Sequence, residues 1–391
     1  MTADARRITP ITAARSAAAI RSRAARTAGD RNAVLLLLPV AMLLVVGLGA
    51  LLSSSSVVAI REGVEQWFYV KRQLFWIVLG IGALIATIRI PYRWYERAAA
   101  ILLALGIAGL VATLVIGQVR GGSRRWIEVG PITVQASEFV KFAQVAFIAS
   151  VFARKREYLD RFSHVLWPVV ASLGLIGVLL ILEPDLGTAL LIAATTLAVL
   201  TASAAPLRHV FGLGILGASA ATALAYASPY RRNRIAAFLD PTADPLDTTL
   251  QPLQSLVALG TGGWFGVGLG ASRARWSFLP NAHTDFIFAI IGEEVGFAGS
   301  IVVVALFVFF AIMGMVIAYR APDRFGRLLA VGIVAWLTLQ ALINIGGVAV
   351  VLPITGVPLP FVSAGGSAMI MNLAAVGVLV NIARAPRRAE A

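Results

Sequence analysis

The sequence contains no cysteine, three histidines and a small share of charged residues. The absence of cysteine excludes disulfides, thiolate nucleophiles and cysteine-ligated metals. His164, His209 and His283 are not spaced like the ligands of a zinc site, which argues against a zinc enzyme. Only 13% of the 391 residues are charged and 59% are hydrophobic, a composition typical of membrane proteins and not of soluble domains.

The hydrophobic residues are gathered into long runs that contain almost no charge. A run of about 20 residues crosses the ~30 Å hydrocarbon layer as a helix, because each helical residue adds about 1.5 Å. Inside lipid the backbone must satisfy its own hydrogen bonds, so such runs are helical. We therefore predict an all-α polytopic membrane protein with about ten transmembrane helices, at residues 33–52, 72–89, 98–117, 137–153, 165–182, 186–203, 209–226, 285–318, 328–352 and 366–383.

The basic residues predict which ends of these helices face the cytoplasm. Most of the 33 lysines and arginines fall near the two termini or in every second connection between the predicted helices. The positive-inside rule then places both termini in the cytoplasm. The net charge of +14 follows from this orientation, so we expect no nucleic-acid partner. The predicted parts are a basic tail at 1–32, a membrane domain at 33–384 with a large extracytoplasmic loop at 227–284 between helices seven and eight, and a tail at 385–391.

The start of the eighth predicted helix carries two residues suited to acid–base chemistry. Asp285 stands where the apolar run begins, and it fits either a helix cap or a reactive carboxylate near a phosphate. His283 has the better ordinary pKa for a general base. The residues alone do not choose between the two. Glu293 and Glu294 lie deeper in the same helix, where ionisable groups usually face a cavity or a partner.

Basic residues on the predicted outer side run against the orientation rule and therefore indicate an anionic ligand. Lys141 follows Glu138 by three residues on the fourth helix, so the two can form an ion pair, or Lys141 can contact a lipid pyrophosphate. Arginine suits phosphate, and tryptophan suits either the membrane interface or the face of a sugar. The outer candidates of these types are Arg124, Arg125, Trp126, Arg231, Arg232, Arg234, Arg273 and Arg275.

Three further segments are polar or irregular. Asp240, Asp244 and Asp247 alternate with prolines, which is typical of turns, with Mg²⁺ binding as a weaker alternative. The Glu-Pro-Asp sequence at 183–185 predicts a buried polar turn between the fifth and sixth helices. Residues 352–369 are rich in proline and glycine at membrane depth, where irregular backbone persists only when it is buried in protein or faces water.

Four segments of the sequence resemble the SEDS family, which comprises FtsW, RodA and SpoVE. They are GGSRRWIEVGPITVQASEFVK from Gly121, EPDLGTA from Glu183, the region between FLDPTADP and HTDFIFAIIGEEVGFAG at 238–299, and LPITGVPLPFVSAGGS from Leu352. The third segment is the most specific. Together with VKRQL at 70–74, it makes the chain most similar to FtsW.

This resemblance implies a ten-helix fold and a metal-assisted, inverting glycosyltransferase that uses lipid II. The family's catalytic carboxylate falls on Asp285, which would deprotonate the 4-hydroxyl of an acceptor GlcNAc. That oxygen would attack the anomeric carbon of the donor MurNAc and release undecaprenyl pyrophosphate. A divalent cation, Mg²⁺ or Mn²⁺, is implied without assigned ligands. The residues expected to bind substrate are Lys141, Glu138, Arg124, Arg125, Trp126, Arg231, Arg273, Arg275, Gln254, Ser255, His283 and Ser363.

The resemblance also implies partners and a location. Besides lipid II and the nascent glycan strand, we expect a class B penicillin-binding protein like the transpeptidase FtsI, and divisome proteins like FtsQ, FtsL and FtsB. The location would be the cytoplasmic (inner) membrane of a bacterium, at the division septum. The alternatives are a RodA-like elongation polymerase, a lipid II flippase or transporter, and a non-catalytic scaffold. The sequence departs from the family's pattern at Ala136, Leu250, Arg275, Asn281 and Ala364.

Overall fold

The computed structural model describes residues 10–61, 63–120, 123–130, 132–155, 157, 161–244, 249–273 and 284–386. Within these residues the chain forms helices and three short strands. The strands are β1 Gln118–Arg120, β2 Ser123–Val129 and β3 Ile132–Val134. The helices are α1 Pro10–Arg61, α2 Phe68–Arg89, α3 Arg93–Ile116, α4 Ala136–Arg154, α5 Phe162–Leu182, α6 Leu186–Ala202, α7 Leu207–Tyr226, α8 Pro229–Leu239, α9 Leu250–Gly262, α10 Ile287–Arg320, α11 Arg324–Val348 and α12 Gly366–Arg384.

Ten of the described helices correspond to the ten predicted spans. Eight are long and apolar enough to cross a membrane, namely α1 through its segment Thr27–Ser55, and α2, α3, α4, α7, α10, α11 and α12. α5 and α6 are apolar over the shorter stretches Trp167–Leu182 and Leu186–Ala202. This confirms a multi-pass helical membrane protein. Helix α1 begins at Pro10, so the predicted basic tail is helical from this residue onward.

A small antiparallel sheet occupies the connection between α3 and α4, which the all-α prediction omitted. β2 pairs with both neighbours, with Trp126 opposite Gln118 and Ile127 opposite Val134. β-branched and aromatic residues favour extended backbone, and Gly130 supplies the turn between β2 and β3. The apolar runs on either side dominate the sequence pattern, so these strands did not stand out. The sheet gives Arg125 a fixed place on β2.

Helix α10 is broken close to its beginning. Gly296 has φ +73° and ψ −168°, a conformation that only glycine adopts readily. The preceding connection replaces the lost helical hydrogen bonds, because Val267 N donates to Glu293 O over 3.0 Å and Phe297 N donates to Gly263 O over 2.9 Å. The short first part of α10 is thus hydrogen-bonded to the segment after α9. These bonds hold the turn before α10 against the bundle.

The two acidic residues inside α10 have partners, as the sequence predicts for ionisable groups at this depth. Glu293 is buried and accepts hydrogen bonds from Ser272 Oγ and, over 3.0 Å, from Arg273 N. Glu294 is also buried and accepts a hydrogen bond from Ser53 Oγ on α1. These bonds fasten α10 to α1 and to the segment after α9, so both glutamates are structural in the described residues.

The centre of the bundle is formed by α4, α10, α11 and α12, whereas α7 is almost wholly exposed. Trp336, Phe310 and Phe361 are among the largest side chains buried there. α12 also packs tightly on α2, where Gly377 faces Thr87. Small residues at such contacts let two membrane helices approach closely. The polar residues described next are positioned by the helices of this packed centre.

Candidate active site

Asp285 lies in the 284–286 turn, just before α10 begins at Ile287. It is therefore outside the membrane-spanning helix and one residue too early to be its cap, which is Phe286. The carboxyl group accepts no hydrogen bond from the described residues, so capping does not account for it. The backbone oxygen of Asp285 does accept one, from Asn344 Nδ2 on α11, over 2.8 Å.

The irregular segment after α11 packs over this turn. A β-carbon at Gly356 would lie 3.5 Å from Asp285 Oδ2, and Asn344 Nδ2 also donates to Val357 O over 2.8 Å. Ser363 Oγ donates to Thr284 O over 2.6 Å and accepts from Leu359 N over 2.8 Å. The segment is thus buried in protein, as irregular backbone at this depth must be.

The Glu-Pro-Asp turn before α6 lies on another side of Asp285. Arg125 reaches it from β2: its Nε donates to Glu183 O over 3.2 Å, and its guanidinium also bonds Pro184 O. Arg125 Nη1 lies 3.8 Å from Asp185 Oδ1. Asp185 in turn accepts from Thr188 N over 3.3 Å and begins α6. The predicted buried polar turn is confirmed, since Glu183 and Asp185 are 1% and 3% exposed.

A second arginine approaches Asp285 from α8. Arg234 Nη1 donates to Ile354 O over 3.0 Å, which places its guanidinium beside the irregular segment. Protein atoms crowd the Asp285 carboxyl although part of the residue is accessible. This burial raises the pKa of Asp285 to about 7, against the lowering effect of Arg234 and Arg125 and with a further rise from Asp185. A carboxyl group with a pKa near neutrality is well matched to general-base work.

Burial also raises the pKa of Glu183 to about 8, with an added rise from Asp185 and an opposing effect of Arg125. Arg125 and Arg234 both act on the Asp285 carboxyl group and lower its pKa, so two positively charged guanidinium groups face this site. Such a place favours an anionic ligand, above all one that gains charge during reaction.

Lys141 and Glu138 lie deeper in the bundle, behind the irregular segment. Lys141 Nζ bonds Glu138 Oε1 over 2.8 Å and Gln340 Oε1 over 2.9 Å, and it lies 5.2 Å from the centre of the Trp336 ring. Lys141 and Glu138 are each 2% exposed. The sequence left open an ion pair or a pyrophosphate contact for this lysine, and the structure shows the ion pair.

The remaining predicted substrate contacts are spread around the site. Arg124 is exposed and donates to Leu114 O over 2.8 Å, and Trp126 is half-buried on β2. Arg231 Nη1 donates to Leu224 O over 2.9 Å, and Arg273 is exposed after α9. Of the α9 residues, Gln254 is half-buried and the hydroxyl of Ser255 is engaged by Pro252 O and Val348 O, while His283 and Arg275 lie outside the described residues.

Gly356→Ala is expected to lower the free energy of unfolding by about 1–2 kcal/mol, because its φ of +75° is left-handed and a side chain makes it costly. Thermal unfolding in detergent measures the change. Gly212→Ala is the matched control, since Gly212 lies within α7 with open space around it and alanine there favours the helix. Equal stability of Gly356→Ala and wild type would contradict the described conformation of this segment.

The family model FTSW_RODA_SPOVE, described as "Cell cycle protein", matches residues 34–388. The chain belongs to this family. Stage V sporulation protein E of Bacillus subtilis is 38% identical over 356 residues, which cover 90% of this chain and 97% of that protein. A probable peptidoglycan glycosyltransferase FtsW of Nitrosomonas europaea is 39% identical over 350 residues, covering 87% and 90%.

Solved structures of the FtsW/RodA/SpoVE family share the fold. A chain from a peptidoglycan synthase complex, studied for its structural coordination of polymerization and crosslinking, aligns with a TM-score of 0.74 at 26% identity, covering 89% of this chain and 96% of that one. The rod shape determining protein RodA of Thermus thermophilus aligns with a TM-score of 0.66 at 25% identity, covering 89% and 95%. The predicted resemblance and the helical membrane fold are thereby confirmed.

Sequence reasoning missed several residues of this FtsW/RodA/SpoVE site. It noted Arg234 in a basic cluster but did not select it, and it assigned no role in the site to Glu183 or Asp185. It did not consider Gln340 and Asn344. Two amides four residues apart in an otherwise apolar helix are a usable signal, because polar groups inside a membrane helix usually meet a partner.

Proposed function

We propose that this protein is a peptidoglycan glycosyltransferase that polymerises lipid II at the outer face of the cytoplasmic membrane, during septal cell-wall synthesis. The observation that carries the proposal is the Asp285 carboxyl group. It is free of hydrogen bonds from the described residues, its pKa is raised to about 7, and arginines flank it. The relatives named peptidoglycan glycosyltransferase FtsW support the same activity.

In the proposed reaction Asp285 accepts the proton of the 4-hydroxyl of the acceptor GlcNAc. The hydroxyl oxygen then forms a bond to the anomeric carbon of the donor MurNAc. The bond from that carbon to the phosphate oxygen breaks, and its electron pair leaves with undecaprenyl pyrophosphate. Arg125 and Arg234 stabilise the negative charge that develops on this leaving group, because backbone carbonyls already hold them in place.

A divalent cation, Mg²⁺ or Mn²⁺, remains part of the proposal without assigned protein ligands. The described residues contain no group of three or more histidine or acidic side chains that could hold a metal ion. Mg²⁺ often takes only one or two carboxylates and is held mainly by substrate phosphates. A cation that arrives with the pyrophosphate fits this site better than a resident one, and it would add positive charge at the leaving group.

The membrane placement and partners follow the same reasoning. The end of the bundle opposite Asp285 carries arginines of the connections after α2, α4 and α10, which supports an extracytoplasmic site under the positive-inside rule. The synthase complex that shares the fold supports a class B penicillin-binding protein as partner. The names of the FtsW relatives support a role at the septum, with elongation as the RodA-like alternative. An FtsI-like enzyme and FtsQ-, FtsL- and FtsB-like proteins are proposed as partners on the resemblance to FtsW.

The test is glycan-chain formation from labelled lipid II by the chain reconstituted with its penicillin-binding protein, with transpeptidation blocked and Mg²⁺, Mn²⁺ or a chelator present. Polymer in the presence of either cation supports the proposal. Transfer of lipid II across the bilayer without polymer would favour the flippase alternative. Neither activity in a folded complex would favour a scaffold. The buried Lys141–Glu138 pair argues against a flippase, since it offers no free charge for a path across the membrane.

Arg125→Gln and Arg234→Gln are each expected to slow polymerisation on the order of 10²-fold, as loss of a fixed charge-stabilising donor does. The double variant should be slower than either, because the two side chains approach Asp285 from different elements. Initial rates at saturating lipid II provide the measurement. Arg232→Gln is the matched control, because Arg232 is exposed on the same helix as Arg234. Wild-type rates in both single variants would contradict their role.

A further inference from the structure

Two amide side chains on α11 hold the segment that covers Asp285. Gln340 and Asn344 are four residues apart, hence on one face of the helix, and both are at least nine-tenths buried. Gln340 Nε2 donates to Pro358 O over 2.8 Å, and Asn344 Nδ2 donates to Val357 O over 2.8 Å. Consecutive carbonyls of the irregular segment are therefore fixed by consecutive turns of one helix.

Asn344 also joins this segment to the catalytic turn. An amide nitrogen carries two hydrogens. Asn344 Nδ2 bonds both Val357 O and Asp285 O at 2.8 Å. Its Oδ1 accepts no hydrogen bond from the described residues, so its described contacts are entirely those of a donor. One side chain thus bridges two pieces of backbone that are far apart in sequence and that enclose the carboxyl group between them.

The orientation of the Gln340 amide is fixed by two donors on the side away from the irregular segment. Gln340 Oε1 accepts hydrogen bonds from Lys141 Nζ and Trp336 Nε1, each over 2.9 Å, so its Nε2 must point toward Pro358. Lys141 is held in turn by Glu138 on α4. A continuous chain of polar contacts therefore runs from α4 through α11 to the segment around Gly356. This accounts for the buried positions of the lysine and the glutamate.

We propose that Asn344 is a positioning residue for Asp285, setting the place of its carboxyl group by tying the 284–286 turn to the 356–358 backbone. The proposal rests on the proposed function. Without the bridge, the turn keeps the bond from Ser363 Oγ to Thr284 O, but Asp285 itself is no longer tied to Val357, and water reaches the carboxyl group. The charged groups that face it, Arg125 on β2, Asp185 before α6 and Arg234 on α8, then act on it from less fixed distances.

The first test compares Asn344→Ala with wild type in lipid II polymerisation, across about pH 5 to pH 9. We expect kcat to fall about 10- to 100-fold with KM changed less than about threefold, because substrate binding persists while the base is misplaced. The pH of half-maximal rate should fall by about one unit or more, because a hydrated carboxyl group has a lower pKa. The proposal would be overturned if the pH midpoint were unchanged and the fall in kcat matched the fall in the amount of folded protein.

The controls separate positioning from general damage. Asn372→Ala removes an equally buried asparagine on α12 that has no described hydrogen bond to the 284–286 turn or to residues 353–363, and it should keep the wild-type pH midpoint. Asn344→Asp keeps the shape but loses both N–H donors, so its kcat should fall as in Asn344→Ala, while its added carboxyl group acts on the pKa of Asp285 in the raising direction, as Asp185 does. If Asn344→Asp keeps wild-type kinetics, the donor bonds do not position Asp285 and the proposal fails.

A second measurement does not depend on turnover. The carboxyl group of Asp285 can be titrated in the detergent-solubilised full chain by infrared difference spectroscopy, with Asp285→Asn identifying its band. We expect the midpoint in Asn344→Ala, or in the milder Asn344→Ser if the alanine variant does not fold, to lie below that of wild type. Unchanged titration overturns the positioning role. A shifted titration in a chain that makes no polymer would keep it and would sink the proposed function instead.

Discussion

Asp285→Asn is expected to reduce polymerisation from lipid II by about 10²- to 10⁴-fold, since a general base contributes this much and asparagine cannot accept the proton. Asparagine keeps the shape of the side chain, so binding of lipid II should persist. Initial rates of glycan formation at saturating substrate give the result. Asp240→Asn is the control, because Asp240 is an exposed aspartate whose described bonds are to Thr242.

The same residue predicts the pH dependence of the wild-type rate. Asp285 works as a base only when it is ionised, so with a pKa of about 7 the rate should rise about tenfold per unit below neutrality and level off above it. In Asp285→Asn, the residual rate should no longer rise with pH below neutrality. A residual rate that keeps the wild-type pH profile would mean that another base, with His283 as the first candidate, carries the chemistry.

Stability should change in the opposite sense to activity. Folding raises the pKa of Asp285 from its ordinary value of about 4 to about 7, so the folded state binds the proton more tightly. The ionised carboxyl group therefore destabilises the fold. This penalty is absent below about pH 4, grows between about pH 4 and 7, and is complete above. Asp285→Asn should unfold at a temperature no lower than wild type at pH 8, which distinguishes lost chemistry from lost structure.

Lys141→Met is expected to have the largest effect on stability, lowering the free energy of unfolding by about 3–5 kcal/mol. The substitution leaves the Glu138 carboxylate buried without its partner, and an unpaired buried charge is strongly destabilising. It also removes a donor to Gln340 and the contact with Trp336. The double variant Lys141→Met with Glu138→Gln should recover most of the loss, because no buried charge remains. Thermal unfolding of the purified variants measures both effects.

Lys71→Met provides the comparison for an exposed pair. Lys71 bonds Glu65 over 2.7 Å, but the two side chains are 63% and 59% exposed. Such pairs contribute less than about 1 kcal/mol, so this variant should unfold like wild type. If Lys141→Met proves as stable as wild type and yet makes no polymer, Lys141 contacts substrate directly, and the pair described in the bundle is not its working state.

The spans could be predicted from sequence because apolar length alone decides them. The break in α10 could not, since it depends on backbone bonds between the residues on either side of Gly296 and the distant segment around Gly263. The same limit applies to the site. Resemblance selected Asp285, whereas charge alone favoured Arg231 as much as Arg234. Only the fold shows that Arg231 turns back to α7 while Arg234 reaches Ile354.

The sequence shows that α11 contains two amide side chains, but it does not show which residues they contact. Gln340 and Asn344 are visible as polar residues in an apolar helix, yet nothing local says that their partners lie in the segment near Gly356. Strand formation around Trp126 was hidden for a different reason. Its strands are three to seven residues long, so their pattern is weak beside the neighbouring apolar runs.

The packing of α12 against α2 has a consequence for how the protein is made. Thr87 Oγ1 donates to Ala374 O over 2.9 Å, and Asn381 Nδ2 donates to Ile88 O over 2.6 Å. Polar groups of α2 are therefore bonded to α12, the last helix of the chain. Arg384 also pairs with Asp30 at the base of α1. During translation, the first two helices enter the membrane long before their partner leaves the ribosome. The contacts between α2 and α12 can therefore form only after the last helix has been synthesised, while the Thr87 hydroxyl can bond Ala83 O and Leu84 O of its own helix until then.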